Sequence, residues 1–186
     1  MKTLLMTLVI VVLAGAAMAQ DSMGISASPD THMNFVNITS GVPFDFYLVL
    51  LDPSSGLIGG YECGVGFLGG NAPIVLGVTG PNGWTNFGSN LNHLVGFTSP
   101  LPATDVTVLA TFSCLVVDPA PYETLVTMGA SDPSSFGGEG PGYSDGDNPD
   151  LLILCDVPAD GIVGTISTEV VATEALSLTS VKALFN

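Results

Sequence analysis

The sequence predicts one all-β domain, a single antiparallel β-sandwich of about nine short strands followed by a short C-terminal helix. Three observations carry this. Apolar residues recur with period two in several segments of strand length. Clusters of Gly, Pro, Ser, Asp and Asn separate those segments, in a chain of 186 residues that holds 23 Gly and 13 Pro. Helical periodicity is confined to the last few residues. With 47% of the residues hydrophobic, the chain is not one that stays unpacked for want of apolar surface.

The strands follow in order. Met23–Ser28 and Met33–Thr39 open the domain. Phe44 to Leu51 alternates with both faces largely apolar and reads as a central strand; Asp52-Pro53-Ser54-Ser55-Gly56 then turns the chain into Leu57–Phe67. Pro73–Thr79 and His93–Phe97 come next. Asp105 to Val117 is the clearest case: Val106, Val108, Ala110, Phe112, Cys114 and Val116 fall on one face, and Thr107, Leu109, Thr111, Ser113 and Leu115 on the other. Tyr122–Met128, Leu151–Asp156 and Gly161–Val171 complete the set. The stretch from Ala130 to Asp150 reads as a long loop, and Thr179 to Phe185 as the helix.

The chain divides into a secretory signal segment, 1–19, a sandwich domain, 20–178, and a helical tail, 179–186. Lys2 supplies the positive start of the signal, Leu4 to Ala14 its apolar run, and Ala17-Met18-Ala19 its small-x-small cleavage site. That run is shorter than the ~20 residues a membrane span needs, so export without membrane insertion is expected, to the cell surface or beyond. The formal charge of −15 arises less from excess acid than from missing base: there is no arginine, and the lysines are Lys2 and Lys182 alone. Nucleic-acid binding and adsorption to anionic lipid both need clustered Lys or Arg and are excluded. An electrostatic partner of this chain is cationic. Of the cysteines, Cys114 falls on an apolar strand face, which favours Cys63 with Cys155 as the pair if one disulfide forms, with no disulfide the open alternative.

Two motifs that resemble catalytic signatures fail on context. Gly64-Val65-Gly66-Phe67-Leu68-Gly69 has dinucleotide-binding spacing, but no helix can begin at Gly70, Asn71 and Pro73 to receive a pyrophosphate. Gly142-Tyr143-Ser144-Asp145-Gly146 has nucleophile-elbow spacing, yet both histidines, His32 and His93, precede Ser144, and the segment reads as a Gly/Asp turn. His93 lies in a strand pattern and reads as a core or surface histidine. Glu62 and Glu123 sit on expected strands, and nothing selects them as a carboxylate pair for hydrolysis.

Two features remain as candidate sites. Asp145, Asp147, Asn148 and Asp150 lie within six residues around Gly146, a set of oxygen donors suited to Ca²⁺, with a solvated hydrogen-bonded turn as the alternative. Trp84, the single tryptophan, sits in the turn Pro81-Asn82-Gly83-Trp84 near Phe87, where an aromatic ring can serve as a platform for a sugar or a protein, or fold back over the core.

The run Phe44-Asp45-Phe46-Tyr47-Leu48-Val49-Leu50 through Gly60-Tyr61-Glu62-Cys63-Gly64 resembles the cohesin-like, immunoglobulin-type β-sandwiches of secreted bacterial proteins. The stretch Tyr143-Ser144-Asp145-Gly146-Asp147-Asn148-Pro149 and the ending Ser180-Val181-Lys182-Ala183-Leu184-Phe185 are similar to a group of exported proteins of environmental bacteria. In that group one early cysteine and another after the Asp/Gly/Pro loop recur, which agrees with pairing Cys63 and Cys155. The resemblance implies a binding or scaffolding module rather than an enzyme. The expected function is thus a non-enzymatic structural or protein-binding module of the cell surface or matrix, able to self-assemble into fibres by strand addition. A Ca²⁺-dependent carbohydrate-binding module and a secreted carboxylate hydrolase are the alternatives.

Overall fold

A computed structural model of the protein describes residues 21–168 apart from Asn82 and Ala120. The expected signal segment, 1–19, and helical tail, 179–186, lie outside the described residues. The described chain is built of strands: β1 (Ser22–Ser26), β2 (Phe35–Asn37), β3 (Phe44–Leu51), β4 (Leu57–Gly69), β5 (Ile74–Thr79), β6 (Trp84–Asn86), β7 (Asn92–Pro102), β8 (Val106–Leu115), β9 (Glu123–Gly129), β10 (Gly142–Asp145), β11 (Leu152–Leu154) and β12 (Ile162–Ser167). Each expected strand is present within a few residues of its predicted ends. Two short strands, β6 and β10, occupy segments that read as turn and loop.

The strands form two sheets. One runs β1-β3-β8-β5; the other runs β11-β10-β4-β9-β12-β2, with β7 added to β4 and β6 to β7. Pairing is antiparallel except for β12 with β2. β4 is long enough to serve several partners: Leu57 to Gly64 pair with β7, Ile58 to Glu62 with β10, and Gly64 to Gly69 with β9. The glycines that mimic a dinucleotide fingerprint therefore belong to a strand, Gly64 and Gly66 inside it and Gly69 at its end.

Alternation along β8 is interrupted, and this corrects the face assignment made from sequence. Thr107 and Leu109 are buried, and from Ala110 onward the buried set is Ala110, Phe112 and Cys114. The register with β3 shifts at the same place, Leu48 facing Ala110 while Val49 faces Val108. One extra residue at Leu109 swaps the faces, which an unbroken period of two cannot reveal. Val106 and Val108 consequently lie half-buried on the outer face.

The two sheets meet across stacked rings. Phe46 of β3 and Phe112 of β8 stack at 4.7 Å and 10°, and Phe112 stacks in turn on His93 of β7 at 5.3 Å and 15°. Around them pack Ile25, Leu48, Leu50, Ile58, Val126 and Ile166, all fully buried. Tyr143 of β10 is also fully buried, and its hydroxyl donates to the Asp21 carboxylate while accepting the Ser55 N–H at 3.3 Å. That contact ties β10 to the start of the domain and to the turn before β4.

All three cysteines are buried free thiols, so the expected Cys63–Cys155 disulfide is not formed. The topology gives the reason. On β10, Gly142 pairs with Glu62 on one side and Leu154 on the other, and the Cys155 N–H bonds the Pro141 carbonyl at 2.9 Å. The chain entering β10 at Pro141 thus runs between the two cysteines, and two strand spacings separate their Cα atoms by roughly 9–10 Å, beyond the reach of a disulfide. Burial pushes all three thiols up, Cys114 and Cys155 to about 12, so they are not thiolates at neutral pH. Native protein is expected to resist iodoacetamide, and protein in guanidinium to take up three equivalents without prior reduction; a mass shift for one thiol only would contradict this arrangement.

Candidate functional site

The outer face of the larger sheet carries a groove of about 310 Å³ above β7, β4 and β10. Its floor follows from the register. Glu62 is flanked by Leu94 of β7 and Gly142 of β10, and Gly60 by Gly96 and Ser144. Three of these six positions lack a side chain, so the sheet is hollow there while the walls rise on Phe87, Phe136 and Leu152. A Cβ on Gly142 would lie 2.4 Å from the Phe136 ring, so only glycine lets that ring lean over the floor. Phe87 is 77% exposed and forms the open rim.

Glu62 is the polar group of this floor. It is only 5% exposed. One carboxylate oxygen, Oε1, accepts the Ser134 hydroxyl at 2.9 Å and the Ser135 N–H at 2.8 Å. The other, Oε2, has no hydrogen-bond partner among the described residues. Since no fully enclosed side-chain oxygen there lacks a partner, Oε2 keeps some exposure, and Glu62 lines the groove. The described residues contain no lysine or arginine, so none of them supplies a counter-charge.

Beneath the floor lies a connected chain of polar groups. The Trp84 indole N–H donates to the Tyr61 hydroxyl at 3.2 Å, and that hydroxyl meets His93 Nδ1 at 2.8 Å. His93 Nε2 reaches the Asn90 carbonyl at 3.2 Å. A carbonyl only accepts, so Nε2 carries the proton, Nδ1 is the acceptor and Tyr61 the donor between them. Burial raises the Tyr61 phenol well above its ordinary value and keeps it a donor. Burial lowers His93, which is held neutral in the fold. An unfolded histidine takes up a proton below about pH 6.5 while the folded one resists until lower pH. His93 therefore adds stability above that pH which is lost as pH falls through it. The urea midpoint is expected to drop between pH 7.5 and 5.5, and much less in His93→Gln; equal drops in both would remove His93 as the cause.

Asp145 closes β10, and its Oδ1 accepts the N–H groups of Asp147 at 2.7 Å and Asn148 at 3.0 Å. These bonds hold its carboxyl below the ordinary carboxylate range. Asp147, Asn148 and Asp150 are exposed, and no three His, Cys, Asp or Glu side chains among the described residues gather as a metal site. Trp84 is half-buried, with its N–H turned inward to Tyr61, and lies beside rather than in the groove. Glu62 and Glu123 are not brought together: Glu123 precedes Thr124, which faces Gly69 at the far end of β4, about 25 Å along the strands from Glu62. Ser144 lies in β10, not a turn, and lines the groove. The groove itself was not foreseen; the one signal for it was an acid among glycines in Gly59-Gly60-Tyr61-Glu62-Cys63-Gly64.

No protein-family model matches the sequence, and no curated protein matches it. Solved structures do. A cohesin–dockerin complex of OlpC from Clostridium thermocellum superposes with a TM-score of 0.51 at 14% identity, over 81% of this chain and 96% of that one. The CaCohA2 complex gives 0.50 at 12% identity, over 80% and 100%. The sixth cohesin of scaffoldin B from Acetivibrio cellulolyticus gives 0.46 at 13%, over 81% and 99%. The protein has a cohesin-like β-sandwich fold.

Proposed function

We propose that the protein is a non-enzymatic protein-binding module that docks a partner on the outer face formed by β6, β7, β4 and β10. The observation that carries this is the groove: a nearly buried carboxylate with one free oxygen, set between apolar walls, on a rigid sheet. The cohesin-like fold supports it, because the OlpC cohesin was solved bound to a dockerin. Fold alone does not fix a partner. The signal-like start of the sequence fits export, and among the described residues no helix is long and apolar enough to cross a membrane.

Gly96 offers a direct test. A Cβ there meets only the Phe87 ring, at 3.9 Å, so Gly96→Leu can fill the groove without moving the sheet. Displayed peptide and protein-fragment libraries selected on the protein are expected to yield clones that lose binding to Gly96→Leu. Clones that bind both forms equally, or retention of soluble oligosaccharides in their place, would overturn the docking reading.

Self-association is a separate proposal. β5 is the outer strand of the four-stranded sheet, carries no charged residue and exposes Ile74 and Leu76. Such an edge can accept a strand from a second chain.

A further inference from the structure

Resting on that docking reading, we infer that the groove receives a lysine side chain of the partner, with Glu62 Oε2 as its counter-charge. Burying a carboxylate without a cation is unfavourable, and the described residues supply no cation to offset it. The chain as a whole, at −15, steers basic partners towards itself. The shape of the site narrows the cation further. Oε1 is already taken by Ser134 and Ser135, so the carboxylate cannot present the two-oxygen edge that a guanidinium grips with its fork. An ammonium needs only one acceptor here, and the Ser144 hydroxyl lines the same groove as a second oxygen. The apolar stem of lysine suits Leu94 on the floor and the walls of Phe136 and Leu152, and the exposed Phe87 ring at the rim favours a passing cation.

The test is a ¹⁵N NMR titration of the protein with blocked tripeptides whose central residue is lysine, arginine or norleucine. The glycines of the floor, Gly60, Gly96 and Gly142, are the reporters. The lysine peptide is expected to shift them and to bind at least about tenfold more tightly than the norleucine peptide, and more tightly than the arginine peptide. Glu62→Gln keeps an oxygen for Ser134 and Ser135 and is expected to abolish the preference for lysine. Phe87→Ala, at an exposed position, is expected to weaken the lysine peptide without disturbing the fold. Equal binding of lysine and norleucine peptides, or an unchanged preference in Glu62→Gln, would overturn the inference. So would floor glycines that shift on Lys182→Gln with no peptide present, since the chain's own tail would then be the occupant. The two readings fail separately. Selected clones that need the open groove but no lysine leave docking standing and remove the lysine; lysine binding without any such clone does the reverse.

Discussion

Phe112→Ala is expected to cost about 3–5 kcal/mol of folding stability, read as the change in unfolding free energy from urea denaturation at neutral pH. Phe112 is fully buried and stands between Phe46 and His93, so its ring bridges the two sheets. Removing it takes away a large apolar surface and leaves a cavity against two flat rings that cannot both close over it. His93 keeps its bonds to Tyr61 and Asn90 but loses the surface that fixes its plane. Phe87→Ala is the control, because Phe87 is mostly exposed, and a change within about 0.5 kcal/mol is expected there. A loss under about 1 kcal/mol for Phe112→Ala would mean the ring stack does not hold the sheets together.

The second large effect is expected from one methyl group. A Cβ on Gly60 would lie 2.4 Å from the Val95 carbonyl oxygen, a backbone atom that moves only if β7 moves. Gly60→Ala must therefore push β7 away from β4 and weaken the longest ladder of the larger sheet. The expected cost is about 3 kcal/mol, the upper part of the range for overpacking. Gly77→Ala on β5 makes the comparison sharp, because a Cβ there meets nothing within 4 Å. It is expected to be neutral or slightly stabilising. Similar losses at the two glycines would show that the effect is general to strand glycines and not due to the close approach of Val95.

Much of the fold was legible because period two survives in the long strands. Phe44–Leu51 and Val106–Leu115 announce themselves by alternation, and the turn at Asp52-Pro53 sets off β4. The face swap at Leu109 was hidden, since Val106 and Val108 continue the apolar set of Ala110, Phe112 and Cys114 without a break, and the bulge leaves no mark in that alternation. β10 was hidden for a different reason: Gly142, Ser144 and Asp145 are turn-formers by local preference, and pairing with β4 and β11 overrides that preference. The disulfide expectation failed because spacing along the chain says nothing of a strand inserted between two cysteines. The groove was least legible. Its floor consists of missing side chains on three strands, and Glu62 joins Ser134 and Ser135 across more than seventy residues of chain. Local sequence holds no trace of such a meeting. For the acidic turn, local reasoning reached the Asp145 hydrogen bonds, because those are made within three residues.

The indole bond from Trp84 to Tyr61 also gives the protein a built-in optical gauge. With a single tryptophan in the chain, every photon emitted near 340 nm comes from one known place, half in water and half against the ring of His93. Loosening the core at Tyr61 should move that emission to the red before the sheets come apart. A ligand seated beside Phe87 should alter its intensity while leaving the colour alone. One spectrum can thus tell a partner arriving outside from a core giving way within.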